Sequence, residues 1–491
     1  MKKIILFIFA TITLLACNQV KDPSIVNEYP KIYPDYIGVT IPDGIAPLNF
    51  NYAGRNSLNS MDVTVEGSKS GKLHVCGDYA NFDIDEWHNI VKANKGGSLK
   101  FTVCVESDGK WFKYKSFSIF VSKYDIDEYG LTYRKIAPGY EIFSKMGIYQ
   151  RDLSNFDESS ILENTQVTGM CINCHSSNRT NPDQFTFHVR GKNGATLVQI
   201  NGKREWMTTK IDTTLKIGSC VYPYWHPSGK YIAYSTNTTR QGFHAVPKEC
   251  IEVFDFASDV MVYRPDTHEL LLSPLLMTKE YSETYPTFSP DGHTLYFCTC
   301  KTQKYPQGYK LSRYNLCKIA FNPENGTFGD HVDTLLNMAA RGKSLAFPRP
   351  SYDGKYIMFT LADYGTFPIW HREADLWLLN LRDQSIRPLS EVNSKNTESF
   401  HNWNTNSHWF VFSSRRDDGL YTRLYLSSID DKGHATKPFL LPQENPWEYY
   451  NESMYSYNVP DFTKTKVNLD AKNAGTEISS NKRVKFLEIK R

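Results

Sequence analysis

Short runs in which apolar and polar residues alternate cover the first quarter of the chain. The clearest runs are residues 61–65, 99–105 and 115–121, and turn-forming residues separate them. A period of two is typical of strands with one buried face. Residues 85–91 are the one helical interruption among them. The pattern therefore predicts an all-β chain in which residues 35–125 form a small β-sandwich-like domain.

A repeated segment predicts a second, larger domain. Residues 222–235 align position for position with residues 285–298, and further copies begin at Phe347 and His401. Each copy indicates a strand, a tight turn such as Pro-Asp-Gly, and a second strand. The copies recur about every 50–60 residues, which is the length of a four-stranded propeller blade with loop insertions.

These repeats resemble the TolB-type, WD-like β-propeller family, whose blades carry an apolar residue before Pro-Asp-Gly and an apolar strand after it. The sequence Phe-Ser-Pro-Asp-Gly at 288–292 is the best match, and Asn406-Ser407 replaces Asp-Gly in the last copy. The resemblance covers about residues 145–460 and implies a propeller, with six blades as the family norm. Five blades can be traced, so we expect the sixth to combine residues near 141–151 with segments after Tyr455.

The N-terminus has the pattern of a lipoprotein signal peptide at residues 1–17. A short basic start precedes an apolar run at 4–10, and Leu-Leu-Ala stands directly before Cys17, which resembles the bacterial lipobox. We therefore expect Cys17 to be lipidated and to anchor the protein to a membrane of the cell envelope, on the periplasmic or surface side of the outer membrane. An ordinary secretory signal is the alternative. Residues 18–34 are predicted as a tether, and residues 461–491 as a polar C-terminal tail.

Residues 171–175 carry the strongest chemical signal, because Cys171 and Cys174 are three positions apart and His175 follows directly. This spacing attaches c-type haem: two thiols join the porphyrin and the adjacent imidazole binds iron. A thioredoxin-like redox pair and half of a zinc site are the alternatives. We expect one covalent haem c, carried on a loop at the entrance of the propeller.

His175 is the predicted proximal ligand of the haem iron. His188 and Met207 are the candidates for the other axial position, whereas Met170 directly precedes Cys171 and is discounted. Alternation in a strand would place Arg190 on the same face as His188, where its guanidinium could bind a haem propionate. An open axial position is a further alternative.

Composition and charge narrow the function classes. The net charge is only +3, with 40% hydrophobic and 14% aromatic residues, so no nucleic-acid partner is expected. Propeller-bearing hydrolases carry a following α/β-hydrolase domain, but fewer than 35 residues follow the last predicted blade, which ends near residue 460. Dihaem peroxidases need a second CxxCH, and the sequence has only one CxxCH. We expect no enzymatic activity. Among the other cysteines, a bridge between Cys76 and Cys104 is one arrangement, and buried free thiols are the other.

Two hypotheses of function follow. The first is a cell-envelope lipoprotein and single-haem c-type cytochrome that transfers electrons with an envelope protein partner. The second is a propeller scaffold that binds a protein or a glycan, with a structural or sensory haem. Aromatic residues near 447–450 and 370–371 favour the second hypothesis.

Overall fold

A computed structural model describes residues 19–54, 58–137, 145–167, 169–208, 220–243, 251–480, 482–486 and 488–490. Strands dominate these residues, and the described helices are short, so the predicted all-β class is confirmed. None of the described helices is long and apolar enough to cross a membrane. Cys17 and the rest of the predicted signal peptide lie outside the described residues.

The N-terminal part contains a seven-stranded and a three-stranded sheet. Strands β1, β9, β8, β10 and β3 follow one another in the larger sheet, β5 pairs with β8 and β6, and the smaller sheet has the order β2-β4-β7. Phe50 of the smaller sheet packs against Phe101 and Phe117 of the larger one. The elements are β1 Ser24–Val26, β2 Ile32–Tyr33, β3 Thr40–Ile41, β4 Phe50–Tyr52, β5 Ser60–Gly67, β6 Lys72–Gly77, β7 Tyr79–Ala80, α1 Ile84–Ala93, β8 Ser98–Ser107, β9 Lys110–Tyr114 and β10 Phe117–Val121.

Six further sheets follow along the chain, each antiparallel within its consecutive strands. The first sheet contains β11 Gly130–Ile136, β12 Gly147–Asp152 and β13 Glu158–Glu163; the second contains β14 Cys171–Asn178, β15 Asn181–Arg190, β16 Ala195–Ile200 and β17 Lys203–Met207; the third contains β18 Cys220–Trp225, β19 Ile232–Phe243, β20 Ile251–Arg264 and β21 Glu269–Leu271. The fourth contains β22 Tyr281–Phe288, β23 Thr294–Lys301, β24 Asn315–Asn322, β25 Thr327–Phe328 and β26 Asp333–Leu336; the fifth contains β27 Ser344–Pro350, β28 Tyr356–Ala362, β29 Asp375–Asn380 and β30 Ile386–Pro388; the sixth contains β31 Glu398–Trp403, β32 Trp409–Ser414, β33 Arg423–Ser428 and β34 Phe439–Leu440.

Late segments of the chain complete this part of the molecule. They are α2 Pro446–Glu452, β35 Ser456–Thr463, α3 Ala471–Ser479 and β36 Glu488–Lys490. Strand β35 pairs with β11, so the first sheet combines residues from both ends of the repeat region. The strands β35, β14, β18, β22, β27 and β31 contact one another in sequence around a ring, as the inner strands of a β-propeller do.

Parts of the described chain after residue 461 pack against the sheets, where the composition predicted a polar tail over residues 461–491. Helix α3 buries Ala474 and Ile478 in an apolar cluster with Ile148 of β12 and Phe187 of β15. Strand β36 adds to the third sheet beside β21. A few apolar residues at helical spacing are enough to anchor a segment that is polar on average.

The predicted bridge between Cys76 and Cys104 is wrong. Both residues are register partners of Asp62, Cys76 in β6 on one side of β5 and Cys104 in β8 on the other. Two strand spacings of about 4.8 Å separate them, which exceeds the roughly 7 Å that a disulfide can span between Cα atoms. Cys104 is accordingly a free, buried thiol, whereas Cys76 is disulfide-bonded elsewhere.

Candidate functional site

The CxxCH segment lies in strand β14, the inner strand of the second sheet, where the sequence predicted a loop. The reason is that the motif coincides with the structural repeat. Cys174-His175 occupies the place that Tyr222-Pro223 occupies in β18, at a bulge where pairing with the next strand shifts register. One residue at this bulge has a positive φ in each of the six inner strands: Cys174, Tyr222, Tyr285, Phe347, Phe400 and Val459, with φ of 54°, 49°, 53°, 54°, 48° and 51°.

The bulge matters because residues three apart in a regular strand face opposite sides. The register of β14 breaks between Asn173 and Ser176, and this break turns the chain between the two cysteines. Arg134 Nη2 of β11 donates to Cys171 Sγ at 3.3 Å. Burial raises the pKa of the Cys174 thiol. The nearby guanidiniums of Arg190 and Arg134 lower this pKa in part, but burial has the larger effect. The two thiols thus share a pair of neighbouring cations.

A cavity opens beside Cys174 at this end of the ring. This front cavity has a volume of about 490 Å³ including its open mouth. An aromatic wall, a thiol, an imidazole and two guanidiniums line it, from Arg134, Cys174, His175, Tyr222, Phe347, Arg349, Phe367 and Phe400. The aromatic rings of the wall contact one another, with centroids 4.4 Å apart for Tyr285 and Phe347 and 4.6 Å apart for Phe347 and Phe400.

His175 is buried, with 3% of its surface exposed. Its Nε2 is hydrogen-bonded to Thr132 Oγ1 at 3.1 Å, and its ring centroid lies 6.1 Å from that of Phe185. Among the described residues, no hydrogen-bond partner meets its Nδ1. Burial lowers the pKa of His175 to about 4, so the imidazole is neutral at pH 7, as a metal ligand must be.

His401 is the counterpart of His175 in the sixth sheet, although no cysteine pair precedes it. It follows the positive-φ residue of β31, its Nε2 contacts Met358 O at 2.9 Å, and its Nδ1 also meets no partner in the described part of the chain. Burial lowers its pKa to about 3. The repeat alone therefore accounts for a buried histidine at this position, and the two thiols are what distinguish the second sheet.

The structure does not bring His188 to His175. Phe185 and Phe187 of β15 face the apolar cluster between the first and second sheets, where His175 also lies. Alternation turns His188 to the opposite face, and its Nδ1 is hydrogen-bonded to Thr196 Oγ1 at 2.9 Å. Burial lowers the pKa of His188 to about 3.

The structure places Met207 away from His175 but places Arg190 close to the cysteine pair. Met207 is 1% exposed and packs with Cys220 and Tyr234 between the second and third sheets, away from the face that carries His175. Arg190 is the register partner of Cys171, so the structure places it beside the cysteine pair, and its binding of a haem propionate stays a prediction. Sequence reasoning missed Arg134, because it comes from another sheet and carries no motif.

Within the described ranges, no group of three or more His, Cys, Asp or Glu side chains is arranged to hold a metal ion. The candidate site therefore consists of two thiols, one neutral imidazole, two guanidiniums and an apolar wall. Thiols that add to vinyl groups, a histidine that can bind iron, and cations that can bind propionates are the donor set that covalent haem requires. The residues fit the group, except that His175 must exchange its bond to Thr132 for one to iron.

No protein-family model matches this chain, and no curated protein matches it. Among solved structures, TolB from Acinetobacter baumannii is similar at 12% identity and a TM-score of 0.39, over 74% of this chain and 86% of that one. An oligogalacturonate lyase in complex with manganese has 12% identity and a TM-score of 0.36, over 62% and 72%. Prolyl oligopeptidase B from Galerina marginata has 10% identity and a TM-score of 0.34, over 77% of this chain and 52% of that one, about half its length. Identities and scores this low identify no function.

Proposed function

We propose that this chain is a single-haem c-type cytochrome of the cell envelope, with the propeller as its scaffold. One observation carries the proposal: the bulge of β14 sets Cys171 and Cys174 beside two guanidiniums and an aromatic-walled cavity. The repeat alone would place some residue at the cavity, but it does not account for a second thiol three positions earlier and a histidine directly after. Haem bound there would supply one-electron chemistry for transfer to or from an envelope protein partner.

Each residue of the site has a proposed role. Cys171 and Cys174 attach the porphyrin edge, and His175 is the proximal ligand. Arg134 and Arg190 hold the propionates, because charge-assisted hydrogen bonds from guanidinium to carboxylate are strong and directional. The aromatic wall excludes water from the ring. His188 and Met207 face away from His175, so their positions do not favour either as the second axial ligand.

Covalent haem is tested by mass spectrometry of the denatured protein, expressed with a haem-attachment system. The wild-type chain should retain the mass of one haem after denaturation, because thioether bonds survive unfolding. The double variant Cys171→Ala with Cys174→Ala should lose it. The double variant Cys220→Ala with Cys298→Ala, which removes two buried thiols outside the motif, is the matched control and should keep it. A wild-type chain without retained haem mass overturns the proposed cytochrome.

A further inference from the structure

A second cavity opens at the other end of the ring, on the far side of His175 from Cys174. This rear cavity has a volume of about 530 Å³ including its open mouth, and its polar lining comes from Ser177, Arg179, Tyr224, Arg349, Tyr352 and Asp461. No residue of the CxxC pair lines it. His175, Pro223, Arg349 and Val459 line both cavities, so the rear cavity adjoins the front one. Its other residues come from the second, third, fifth and sixth sheets and from β35.

Two guanidiniums line the rear cavity, and hydrogen bonds hold that of Arg349 in place. Arg349 donates from Nε to Asn402 Oδ1 and from Nη1 to Pro348 O, both at 3.1 Å. Within the described chain, no protein acceptor takes up its Nη2. The Arg349 guanidinium also lies 5.3 Å from the centroid of the Tyr224 ring, and that of Arg179 lies 5.2 Å from the centroid of Tyr352. Because the Arg349 guanidinium is already held by hydrogen bonds, it loses little further entropy when it binds an anion.

Asp461 lines the same cavity, but its carboxyl group does not form an ion pair with Arg349. Asp461 is 9% exposed and accepts a hydrogen bond from the Ser177 amide at 3.3 Å. Arg349 and Asp461, both in the described part of the chain, form no ion pair, although each affects the pKa of the other through its charge. Burial raises the pKa of Asp461 to about 7, so this carboxyl group is only partly ionised at neutral pH and can stay apart from Arg349 at little cost in desolvation. Because Arg349 and Asp461 do not contact each other, a ligand that contacts both can lie between them.

We propose that the rear cavity binds a small carboxylate that also carries an O–H or N–H donor. The carboxylate would accept from Arg179 and Arg349, and the donor would bind Asp461. Two sources share this chemistry, a free hydroxy acid and the C-terminal end of a peptide. The proposal does not depend on haem, because Arg179 and Asp461 line only the rear cavity, although His175 and Arg349 line both.

Titration calorimetry on the full chain tests the proposal with four probes. Lactate represents a hydroxy acid, and N-acetylglycine represents the C-terminal end of a peptide. N-acetylglycinamide is the uncharged analogue of N-acetylglycine, and inorganic phosphate is an anion of another class. At least one carboxylate should bind, and the amide should not. Binding by N-acetylglycine alone identifies a peptide end, and binding by lactate alone identifies a hydroxy acid.

Two variants connect binding to the cavity. Arg179→Gln removes a cation from an exposed side chain and should weaken carboxylate binding by about tenfold or more. Arg349→Lys keeps the charge but loses the planar donor set, and should weaken binding similarly. Arg341→Gln, an exposed residue away from the cavity, is the matched control. Binding of neither carboxylate, equal binding of the amide, binding of phosphate alone, or unchanged affinity in both cavity variants would each overturn the proposal.

Discussion

At the scale of single residues, the positive-φ position of the inner strands explains why the CxxCH segment can be a strand. Non-glycine residues in this conformation cost about 1–3 kcal/mol each and persist where the surrounding structure requires them. The position is aromatic in four of the six inner strands: Tyr222, Tyr285, Phe347 and Phe400. Only Cys174 brings a nucleophile to it. One substitution in a structural repeat is thus enough to place a thiol at the front cavity.

The pair His175 and His401 gives a test at the same scale. Each imidazole is buried and makes a single described hydrogen bond, so His175→Ala and His401→Ala should each lower the free energy of unfolding by about 1–3 kcal/mol. Only His175→Ala should change the visible absorption spectrum of the haem-loaded protein, because only His175 is proposed to bind iron. Two variants with the same spectrum as wild type would contradict the assignment of His175.

At the scale of elements, the start of β20 in the third sheet is linked to the loop after β28 in the fifth. His371 Nε2 lies 3.2 and 3.4 Å from the two Glu252 carboxylate oxygens, and its Nδ1 lies 3.5 Å from Glu373 Oε1. Burial alone would lower the pKa of His371, but the hydrogen bonds and charges of the two glutamates raise it to about 9. The imidazolium therefore joins two sheets that are not adjacent in the ring.

This link predicts a pH-dependent stability. A histidine whose pKa is raised on folding stabilises the folded state fully below its unfolded pKa of about 6.5, and the contribution is lost as the pH rises through about 9. His371→Gln should therefore lower the free energy of unfolding at pH 6, by up to about 3 kcal/mol. The difference from wild type should shrink by pH 9.5, measured by urea unfolding. A constant difference across this range would show that the charge of His371 contributes nothing.

At the scale of the whole molecule, the N-terminal segment leaves little free chain between Cys17 and the folded domain. The sequence predicted a tether over residues 18–34, but β1 at Ser24–Val26 pairs with β9 and β2 at Ile32–Tyr33 pairs with β4. Only residues 19–23 of the described chain precede β1. If Cys17 carries the lipid, the N-terminal sheets are held within about 20–25 Å of the anchoring residue, since an extended residue spans at most about 3.6 Å.

The proposed anchor is tested by fractionation of cells. Cys17→Ser should block acylation, so the protein should leave the membrane fraction and appear as a soluble form or an unprocessed precursor. Cys104→Ser, which alters a free buried thiol in the N-terminal part, is the matched control and should stay in the membrane fraction. Retention of Cys17→Ser in membranes, with unchanged incorporation of labelled fatty acid, would indicate another means of attachment.

The sequence by itself determined what depends on local pattern. Alternating strands and Pro-Asp-Gly turns such as residues 290–292 determine the all-β class, since strand period and turn geometry are properties of a few consecutive residues. The thiol spacing of Cys171 and Cys174 is equally local. The shared face of His188 and Arg190 is a local prediction too, because it depends only on alternation along one strand.

Only the tertiary structure decided what depends on residues distant in the chain. Arg134 reaches Cys171 because β35 and β11 complete the first sheet beside β14, a pairing between segments more than 300 residues apart. His188 faces away from His175 because the bulge changes which side of β14 the imidazole takes, and strand register is set by all neighbouring strands together. The sequence also did not predict the burial of Ile478, because a polar average composition does not show which few side chains contact an apolar surface.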